Sequence, residues 1–226
     1  MITDHYLNNS RAQRILFMLE EIGAEYETNV FKRVKGLAPA SLKKIHPLGK
    51  SPVITDNGAT IAESGAIIEY LAAKYGPQMM VTGEPDYPAV LNYRYWIHYA
   101  EGSLMPLLVM KLMFDQIKNA KVPFFIKPVA KGIVKQVMDR YLGPTLNSQL
   151  AFVEAHLSSH EYFGGDSMNA ADVQMLFPLE GVAVQADYKN SYPNIVEYVT
   201  RLQARPSYQR ALSAGEPYAF EVKSKS

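Results

Sequence analysis

Residues 6–23, YLNNSRAQRILFMLEEIG, indicate the fold, because the end of a short strand changes within four residues into the pattern of an amphipathic helix. Apolar side chains then recur at the spacing of one helix face, at Ala12, Ile15, Leu16, Leu19 and Ile22. Gly23 is typical of the residue that ends a helix. With residues 2–7 as a strand, this stretch predicts a strand followed by an amphipathic helix.

The pattern of strands and helices continues through residue 75. We predict strands at 2–7, 26–33, 52–56 and 59–61, and helices at 10–23, 39–45 and 64–75. Asn57-Gly58 is the turn expected between the last two strands. The predicted order β-α-β-α-β-β-α belongs to an α/β domain.

The second half of the chain carries only helical patterns. Glycines and prolines concentrate at 77–87, which we interpret as a linker between a domain at 1–76 and a domain at 88–226. Predicted helices then cover 87–118, 129–157, 170–186, 193–204 and 206–214. We therefore predict an all-α C-terminal domain.

The composition excludes several classes of function. Lys and Arg total 23 against 22 Asp and Glu, so the whole chain shows no charge excess for nucleic acid or an anionic membrane. No apolar run reaches the roughly 18 residues of a membrane span, and the N-terminus lacks a secretory signal pattern, so we expect a cytoplasmic protein. Because the chain has no cysteine, disulfides, thiolate metal sites and a cysteine nucleophile are excluded.

Ser10, at the predicted start of the first helix, is the first candidate functional residue. As a helix cap, its hydroxyl would accept a hydrogen bond from a backbone N–H, worth about 1 kcal/mol. Pointed outward, the hydroxyl would donate to an anion that the helix N-terminus already favours. Such a bond contributes roughly 1.5–3 kcal/mol, enough to lower the pKa of a ligand thiol from about 8.5 to about 7.

Residues 46–53, HPLGKSPV, form the second candidate segment. A cis peptide before Pro52 would turn the backbone of Ser51 toward an extended peptide ligand, whereas a trans peptide would leave an ordinary edge-strand proline. Lys50 is either a solvated charge or, beside that turn, the partner of a carboxylate.

Residues 63–65, ESG, open the third predicted helix of the α/β domain. Glu63 and Ser64 serve either as helix-start residues only or as partners for the ammonium and the carboxylate of an amino acid. Together with Ser10, these groups describe a groove for a short peptide that has an amino-acid head, a thiol and a terminal carboxylate. Glutathione fits that description.

The sequence resembles the glutathione transferase superfamily along its whole length. The similar segments are YLNNSRAQR (6–14), which matches Tyr-Leu-x-x-Ser-x-x-x-Arg of theta- and delta-type members, HPLGKSPVI (46–54), ESGAIIEYL (63–71) and GDSMNAAD (165–172). His46 and Asn169 stand where the family usually has Asn and Ser or Thr. Residues 111–142, with VPFFIKP at 122–128, are most similar to the Gtt-like branch of fungi and bacteria.

This resemblance implies a thioredoxin-like N-terminal domain, an all-helical C-terminal domain and a homodimer. It implies that the Ser10 hydroxyl is catalytic and stabilises the thiolate of glutathione for attack on a hydrophobic electrophile, without a metal. The implied glutathione-binding residues are Ser10, Arg11, Lys50, Ser51, Pro52, Glu63 and Ser64. Reduction of organic hydroperoxides would use the same thiolate.

Several alternatives remain open from the sequence. Tyr6 is the rival catalytic residue, since other members use a tyrosine near the end of the first strand, and we expect it in the core instead. Arg11 either adds positive charge near the sulfur or is a solvated surface residue. The other functions considered are glutathione-dependent isomerisation and a non-catalytic, glutathione-binding regulatory protein.

The helical half offers an apolar, adaptable surface for the electrophile. We expect this hydrophobic site at Tyr99, Leu104, Met105 and Leu108, on a face that continues to Leu112 and Met113.

Two further patterns in the helical half have structural interpretations. His156 and His160 have the spacing of two metal ligands on a helix, but no third ligand is suggested, so we interpret them as surface residues. Asn169 and Asp172 form the pattern of a capping box, with Met168 and Val173 as a hydrophobic staple.

Overall fold

The computed structural model describes residues 1–121 and 123–222. Val122, the first residue of the VPFFIKP segment, and residues 223–226 of the predicted helical domain lie outside the described residues. The strands are β1 Ile2–Asp4, β2 Tyr26–Thr28, β3 Val53–Asp56 and β4 Ala59–Ala62. The first two helices are α1 Ala12–Ile22 and α2 Ser64–Tyr75. The later helices are α3 Pro88–Tyr99, α4 Met105–Lys118, α5 Lys127–Val137, α6 Gly143–Leu157, α7 Ala170–Ala183, α8 Ala186–Lys189, α9 Pro193–Gln203 and α10 Pro206–Ala214.

The four strands form one mixed sheet in the order β2-β1-β3-β4. β1 and β2 are parallel, whereas β3 pairs antiparallel with both β1 and β4. Helices α1 and α2 pack together beside the sheet, and α7 of the helical half packs against both of them. The predicted fold class, a thioredoxin-like domain followed by an all-helical domain, is confirmed.

The short elements differ from their predictions mainly at their ends. Asn57 and Gly58 both have positive φ, at 47° and 85°, as a tight hairpin between β3 and β4 requires. The strand predicted at 26–33 ends at Thr28, after which only an isolated bridge joins Phe31 to Leu7. The helix predicted at 39–45 is a 3-10 helix at Ala40–Lys44.

Both long predicted helices are interrupted by a π-helical turn. The turns lie at Ala100–Leu104, between α3 and α4, and at Met138–Leu142, between α5 and α6. A proline follows each turn by two residues, Pro106 and Pro144. Because proline has no N–H and its ring crowds the preceding turn, it cannot continue the ordinary helical hydrogen-bond ladder.

Helix α7 begins with the predicted capping box. The Asn169 side chain accepts a hydrogen bond from the backbone N–H of Ala171 at 3.0 Å, and Asp172 accepts one from the N–H of Asn169 at 2.9 Å. Asp172 also accepts bonds from the N–H of Phe163 and the hydroxyl of Tyr198, at 2.9 and 2.7 Å. This buried carboxylate therefore joins the start of α7 to the preceding loop and to α9.

Helix α7 also contains Pro178, whose missing N–H leaves the carbonyl of Gln174 without its helical donor. Arg14 of α1 supplies a replacement, since its Nη1 donates to that carbonyl at 2.6 Å. Arg14 is only 1% exposed, and its Nη2 pairs with Glu101 in the first π-helical turn. One side chain thus joins α1 to two separate parts of the helical half.

The C-terminal segment, residues 215–222, is fastened to the interior through Glu180 of α7. The Glu180 carboxylate accepts hydrogen bonds from Tyr208, from Tyr218 at 2.5 Å and from Gln203 at 2.9 Å. Gln203 in turn donates to the carbonyl of Phe220 at 3.1 Å. Burial raises the pKa of Glu180 to about 7, although these donors act to lower it.

The Asp172→Ala variant should be strongly destabilised. It leaves two buried N–H groups and a buried hydroxyl without an acceptor, so we expect the free energy of unfolding to fall by about 3 kcal/mol or more. Asn169→Ala should cost about 1 kcal/mol, as for other helix caps. Chemical denaturation measures both, and Asp187→Ala, at an exposed position in α8, is the matched control. If the free energy of unfolding falls no further for Asp172→Ala than for the control, Asp172 does not stabilise the start of α7 as described.

The raised pKa of Glu180 predicts a pH dependence of stability. Between pH 4.5 and about 7 the unfolded chain releases this proton while the folded chain retains it, so the free energy of unfolding falls as the pH rises. The decrease attributable to this group is on the order of 1–3 kcal/mol. Denaturation of wild type and Glu180→Gln across this range should show a smaller decrease in the variant. Glu197→Gln, at an exposed position in α9, should behave like wild type.

Candidate active site

Two adjoining cavities lie between the α/β domain and the helices. The first, the polar cleft, has a volume of about 200 Å³. Its lining includes six of the seven predicted glutathione-binding residues, which are Arg11, Lys50, Ser51, Pro52, Glu63 and Ser64. The remaining lining residues are His46, Leu48, Val53, Ala62 and Glu101. The Ser51–Pro52 peptide bond is cis.

The second cavity, the apolar groove, has a volume of about 470 Å³. Its apolar wall consists of Met105, Leu108, Val109 and Leu112 from α4, Phe177 and Pro178 from α7, and Phe220 from the C-terminal segment. Ser10, Arg11, Lys50 and Ser51 line its other side, together with Leu7, Asn9, Arg33 and Ala38. Gly181 and Gln185 complete the lining.

The two cavities meet beside Ser10, which lines the apolar groove. Arg11, Lys50 and Ser51 line both cavities, and the Ser10 Oγ lies 3.3 Å from the Oγ of Ser51. A ligand whose polar groups occupy the cleft would therefore place its next atoms beside Ser10, at the entrance to the groove.

Ser10 lies just before α1 and has a defined hydroxyl geometry. Its Oγ accepts a hydrogen bond from the backbone N–H of Ala12 at 3.1 Å, and the residue is only 6% exposed. A serine hydroxyl accepts and donates at the same time, so this bond leaves its proton available for a second partner. The cap role and the anion-binding role that the sequence left open are therefore compatible.

The backbone that carries Ser10 is held by Arg33, a residue that the sequence did not single out. The Arg33 guanidinium donates to the carbonyls of Asn8 and Asn9, both at 3.1 Å, and to that of Gly36 at 3.2 Å. Asn9 has a φ of 50°, in the left-handed region, and its side chain accepts from the N–H of Ala219 at 2.8 Å. The loop before Ser10 is thus fixed to two other segments.

Glu63 has an unusual backbone conformation at the edge of the polar cleft. Its φ of 71° and ψ of 120° lie outside the regions that side chains ordinarily adopt, which costs on the order of 1–3 kcal/mol. The neighbouring Ser64 hydroxyl accepts from Gln174 at 3.4 Å and keeps its own proton for donation. Strained residues of this kind concentrate at ligand sites.

Arg11 and Arg14 share one carboxylate. Arg11 Nε donates to Glu101 at 2.9 Å, and the buried guanidinium of Arg14 pairs with the same side chain. Burial alone would raise the pKa of Glu101, but the two guanidiniums outweigh burial and the pKa is lowered. Arg11 is therefore partly neutralised, yet it remains at the rim of both cavities.

Tyr6 lies in the core. It is fully buried, its hydroxyl donates to Gln13 at 3.0 Å, and burial raises its pKa to about 12. Tyr6 lines neither cavity.

Of the four residues expected in the hydrophobic site, the structure places Met105 and Leu108 in the apolar groove and the other two elsewhere. Tyr99 is buried against α6, where its hydroxyl bonds to Gln149 at 2.5 Å. Leu104 is fully buried in the core. The expectation treated 87–118 as one regular helix, whereas the π-helical turn changes which side chains face the groove.

The sequence reasoning missed the contribution of α7 and of the C-terminal segment to the groove. Phe177 and Gly181 of α7, and Gln185 just after it, recur every four residues, which is the spacing of one helix face, but α7 is apolar on nearly all sides. Because the helix is apolar all round, its sequence does not indicate which side chains face the groove. Phe220 follows the last helix and has no periodic pattern that would reveal it.

His156 and His160 lie outside both cavities. The ring of His156 packs against Trp96 and Phe163, with centroid distances of 4.8 and 5.2 Å, and stacks on His160 at 4.4 Å. Among residues 1–121 and 123–222, no group of three or more His, Asp or Glu side chains is placed to hold a metal ion. No helix in the same ranges is long and apolar enough to cross a membrane.

Comparison with family models identifies both halves of the chain. Residues 5–73 match the glutathione S-transferase N-terminal domain, and residues 115–206 match the glutathione S-transferase C-terminal domain.

Individual relatives cover nearly the whole chain. Glutathione S-transferase 3 of Schizosaccharomyces pombe is 39% identical over 92% of this chain and 85% of its own length. Glutathione S-transferase 1 of Saccharomyces cerevisiae is 31% identical, covering 92% of each chain. A crystal structure of a glutathione S-transferase from Actinobacillus pleuropneumoniae superposes with a TM-score of 0.75 at 30% identity, covering 94% of this chain and 92% of that one. The chain therefore belongs to the glutathione S-transferase family of enzymes, close to these fungal members.

Proposed function

We propose that this enzyme is a serine-type glutathione transferase, in which the Ser10 hydroxyl stabilises the thiolate of bound glutathione. The observation that carries the proposal is the position of Ser10 in the apolar groove, where its Oγ lies 3.3 Å from the Oγ of Ser51, a residue that lines both cavities. The alternative hydroxyl, that of Tyr6, is buried and already donates to Gln13.

The polar cleft supplies partners for the charged groups of glutathione. Glu63 is suited to the ammonium of the γ-glutamyl group, while Ser64, at the N-terminus of α2, is suited to its carboxylate. Lys50 is exposed at the rim and is suited to the terminal glycine carboxylate. Ser51 would pair its backbone with the middle of the peptide. These contacts would place the cysteinyl sulfur near Ser10.

The chemistry then consists of holding a negative charge on sulfur. Ser10 donates its proton in a hydrogen bond to the thiolate, while the N–H groups at the start of α1 and the nearby Arg11 favour the same charge. The thiolate attacks an electrophilic carbon held in the apolar groove and forms a carbon–sulfur bond. In a substitution the bond to the leaving group breaks and its electron pair departs with that group; in an addition to a double bond, the resulting carbanion takes up a proton from water. The rest of the rate acceleration comes from binding the two substrates in the correct orientation, so this mechanism uses no metal.

The same thiolate supports reduction of an organic hydroperoxide. Attack of sulfur on the terminal peroxide oxygen breaks the O–O bond, releases an alcohol after protonation and leaves glutathione sulfenic acid. A second glutathione thiol then displaces water to give the disulfide. The apolar groove would hold the organic part of the peroxide in the same place as a conjugation substrate.

We also propose that the cytoplasmic protein acts as a homodimer, as its resemblance to the family implies. Two large hydrophobic side chains of α3 are exposed: Leu91 is 52% exposed and Tyr95 is 47% exposed. An apolar surface of this kind on a long helix is suited to a second copy of the chain.

The Ser10→Ala variant should lose most of its catalysis but retain its fold. Without the hydrogen bond, the pKa of the bound thiol should rise by one to two units, and kcat/KM should fall by roughly 10- to 100-fold at neutral pH. Ultraviolet absorbance of the thiolate against pH measures the pKa. Conjugation of chlorodinitrobenzene and reduction of cumene hydroperoxide measure the activity. Tyr6→Phe is the matched control and should keep kcat/KM within about twofold.

Three results would contradict this assignment. Ser10→Ala with wild-type thiol acidity and turnover would remove the serine mechanism. A larger loss of kcat/KM in Tyr6→Phe than in Ser10→Ala would assign stabilisation of the thiolate to the tyrosine. Tight glutathione binding by wild type with no conjugation or peroxidase activity toward any electrophile tested would favour a non-catalytic binding protein.

Glu63→Gln should weaken glutathione binding without changing the acidity of the bound thiol. A partly exposed ion pair contributes on the order of 1 kcal/mol, so KM for glutathione should rise by roughly three- to tenfold. Glu69→Gln, at an exposed glutamate on α2, the helix that Glu63 precedes, is the control and should bind as wild type. Equal KM values for the two variants would argue against an ammonium partner at residue 63.

A further inference from the structure

The connection between α4 and α5 carries a concentrated positive charge that the net charge of the whole chain conceals. Between Asp115 and Asp139 the sequence has five lysines, at 118, 121, 127, 131 and 135, and no acidic residue. Lys135 pairs with Asp139. In the described part of the chain, no hydrogen bond or ion pair engages the side-chain amine of any of the other four.

The same connection exposes an unusual amount of apolar surface. Phe124 is 83% exposed and Phe125 66%, and the two rings contact each other edge to face with centroids 5.6 Å apart. Ile126, which immediately precedes α5, is 41% exposed, and Val129 and Ile133 on α5 are 62% and 58% exposed. Contiguous apolar side chains of this size mark an interaction surface.

The chain places these side chains at one end of a helical hairpin. Helix α4 ends at Lys118 and α5 begins at Lys127, and the two helices pack against each other. Phe124 and Phe125 therefore lie in the connection, with lysines on either side of them along the chain. We refer to residues 117–131, as far as they are described, as the hairpin tip.

We propose that the hairpin tip docks the enzyme on an anionic phospholipid bilayer. The two phenylalanines enter the interfacial region, and the surrounding lysines contact lipid phosphates. Aromatic side chains prefer the membrane interface, and lysines extend long apolar stems beneath a hydrated charge. Each lysine close to an anionic surface strengthens binding by about fivefold.

Charge favours a bilayer over a protein as the partner. Lysine is depleted in protein–protein interfaces, whereas clustered lysines beside exposed apolar residues are typical of segments that bind anionic lipid. Neither the apolar insertion nor the charge alone gives stable membrane binding, and the hairpin tip combines the two signals.

The proposal does not depend on the catalytic assignment. None of the described residues of the hairpin tip lines the polar cleft or the apolar groove. Docking would bring the enzyme close to apolar electrophiles dissolved in the bilayer, while glutathione arrives from the aqueous side.

Vesicle flotation with the full-length protein tests the proposal. The probes are vesicles of phosphatidylcholine alone and vesicles that also contain phosphatidylserine, at low and physiological salt. We expect binding only to the anionic vesicles, weakened by salt as screening requires. Lys118→Gln/Lys121→Gln/Lys127→Gln should bind roughly 100-fold more weakly. Phe124→Ser/Phe125→Ser should also lose binding, with an unchanged circular dichroism spectrum.

Matched controls remove the same chemistry from other exposed places. Lys35→Gln/Lys44→Gln/Lys189→Gln removes three exposed lysines, and Val34→Ser/Leu37→Ser removes two exposed apolar residues. Both controls should bind vesicles as wild type. If the controls lose as much vesicle binding as the tip variants, the proposal is overturned. A wild-type protein that fails to bind anionic vesicles would also overturn it.

A tryptophan placed at the tip gives an independent readout. The single native tryptophan, Trp96, is buried at 2% exposure, so the added emission of Phe124→Trp reports mainly on the tip. Anionic vesicles should shift that emission to shorter wavelength. An unshifted emission would contradict insertion. A change of oligomeric state in the phenylalanine variant, seen by light scattering without vesicles, would instead assign the tip to contact between copies of the chain.

Discussion

The buried guanidinium of Arg14 is the constraint on which the rest of the site depends. A charge in the protein interior is tolerated only with partners of good geometry, and Arg14 finds them in Glu101 and in the carbonyl of Gln174. That carbonyl is available because Pro178, four residues later, cannot donate to it. Helix α1 is thereby fixed against α7 and the first π-helical turn. Ser10 lies one helical turn before Arg14, so these contacts also fix its position.

The two halves of the chain divide the work of the site between them. Segments of the α/β domain supply most of the hydrogen-bonding and charged groups of the polar cleft, on a turn and two helix starts that the sheet holds in place, and the helical half adds Glu101. The helices supply the apolar wall of the groove. Ser10 belongs to the first half and lines the groove, beside Ser51, which lines both cavities. The polar partner and the apolar partner of a reaction can therefore be selected by different parts of the structure and still meet at one atom.

Local patterns in the sequence were sufficient for the fold and for most of the polar cleft. The Asn57-Gly58 turn, the capping box of Asn169 and the helix at Ser64–Tyr75 each depend on contacts within a few residues, and each is present in the structure. The groove was harder to predict. Its wall combines α4, α7 and Phe220, which meet only after the chain has folded, and periodicity cannot register the extra residue of a π-helical turn. Arg33 was missed because its bonds go to backbone carbonyls, which leave no trace in the sequence.

The π-helical turn at Ala100–Leu104 has an evolutionary consequence. It holds one residue more than an α-helical turn, and every side chain that follows is rotated by about 100° relative to an uninterrupted helix. Loss of a single codon at Gly102 would remove this extra residue and present a different row of α4 side chains to the groove. The polar cleft lies mostly before this point in the chain and would be largely untouched. The shape of the groove in such a lineage can therefore diverge in one genetic step, while the residues of the polar cleft are inherited unchanged.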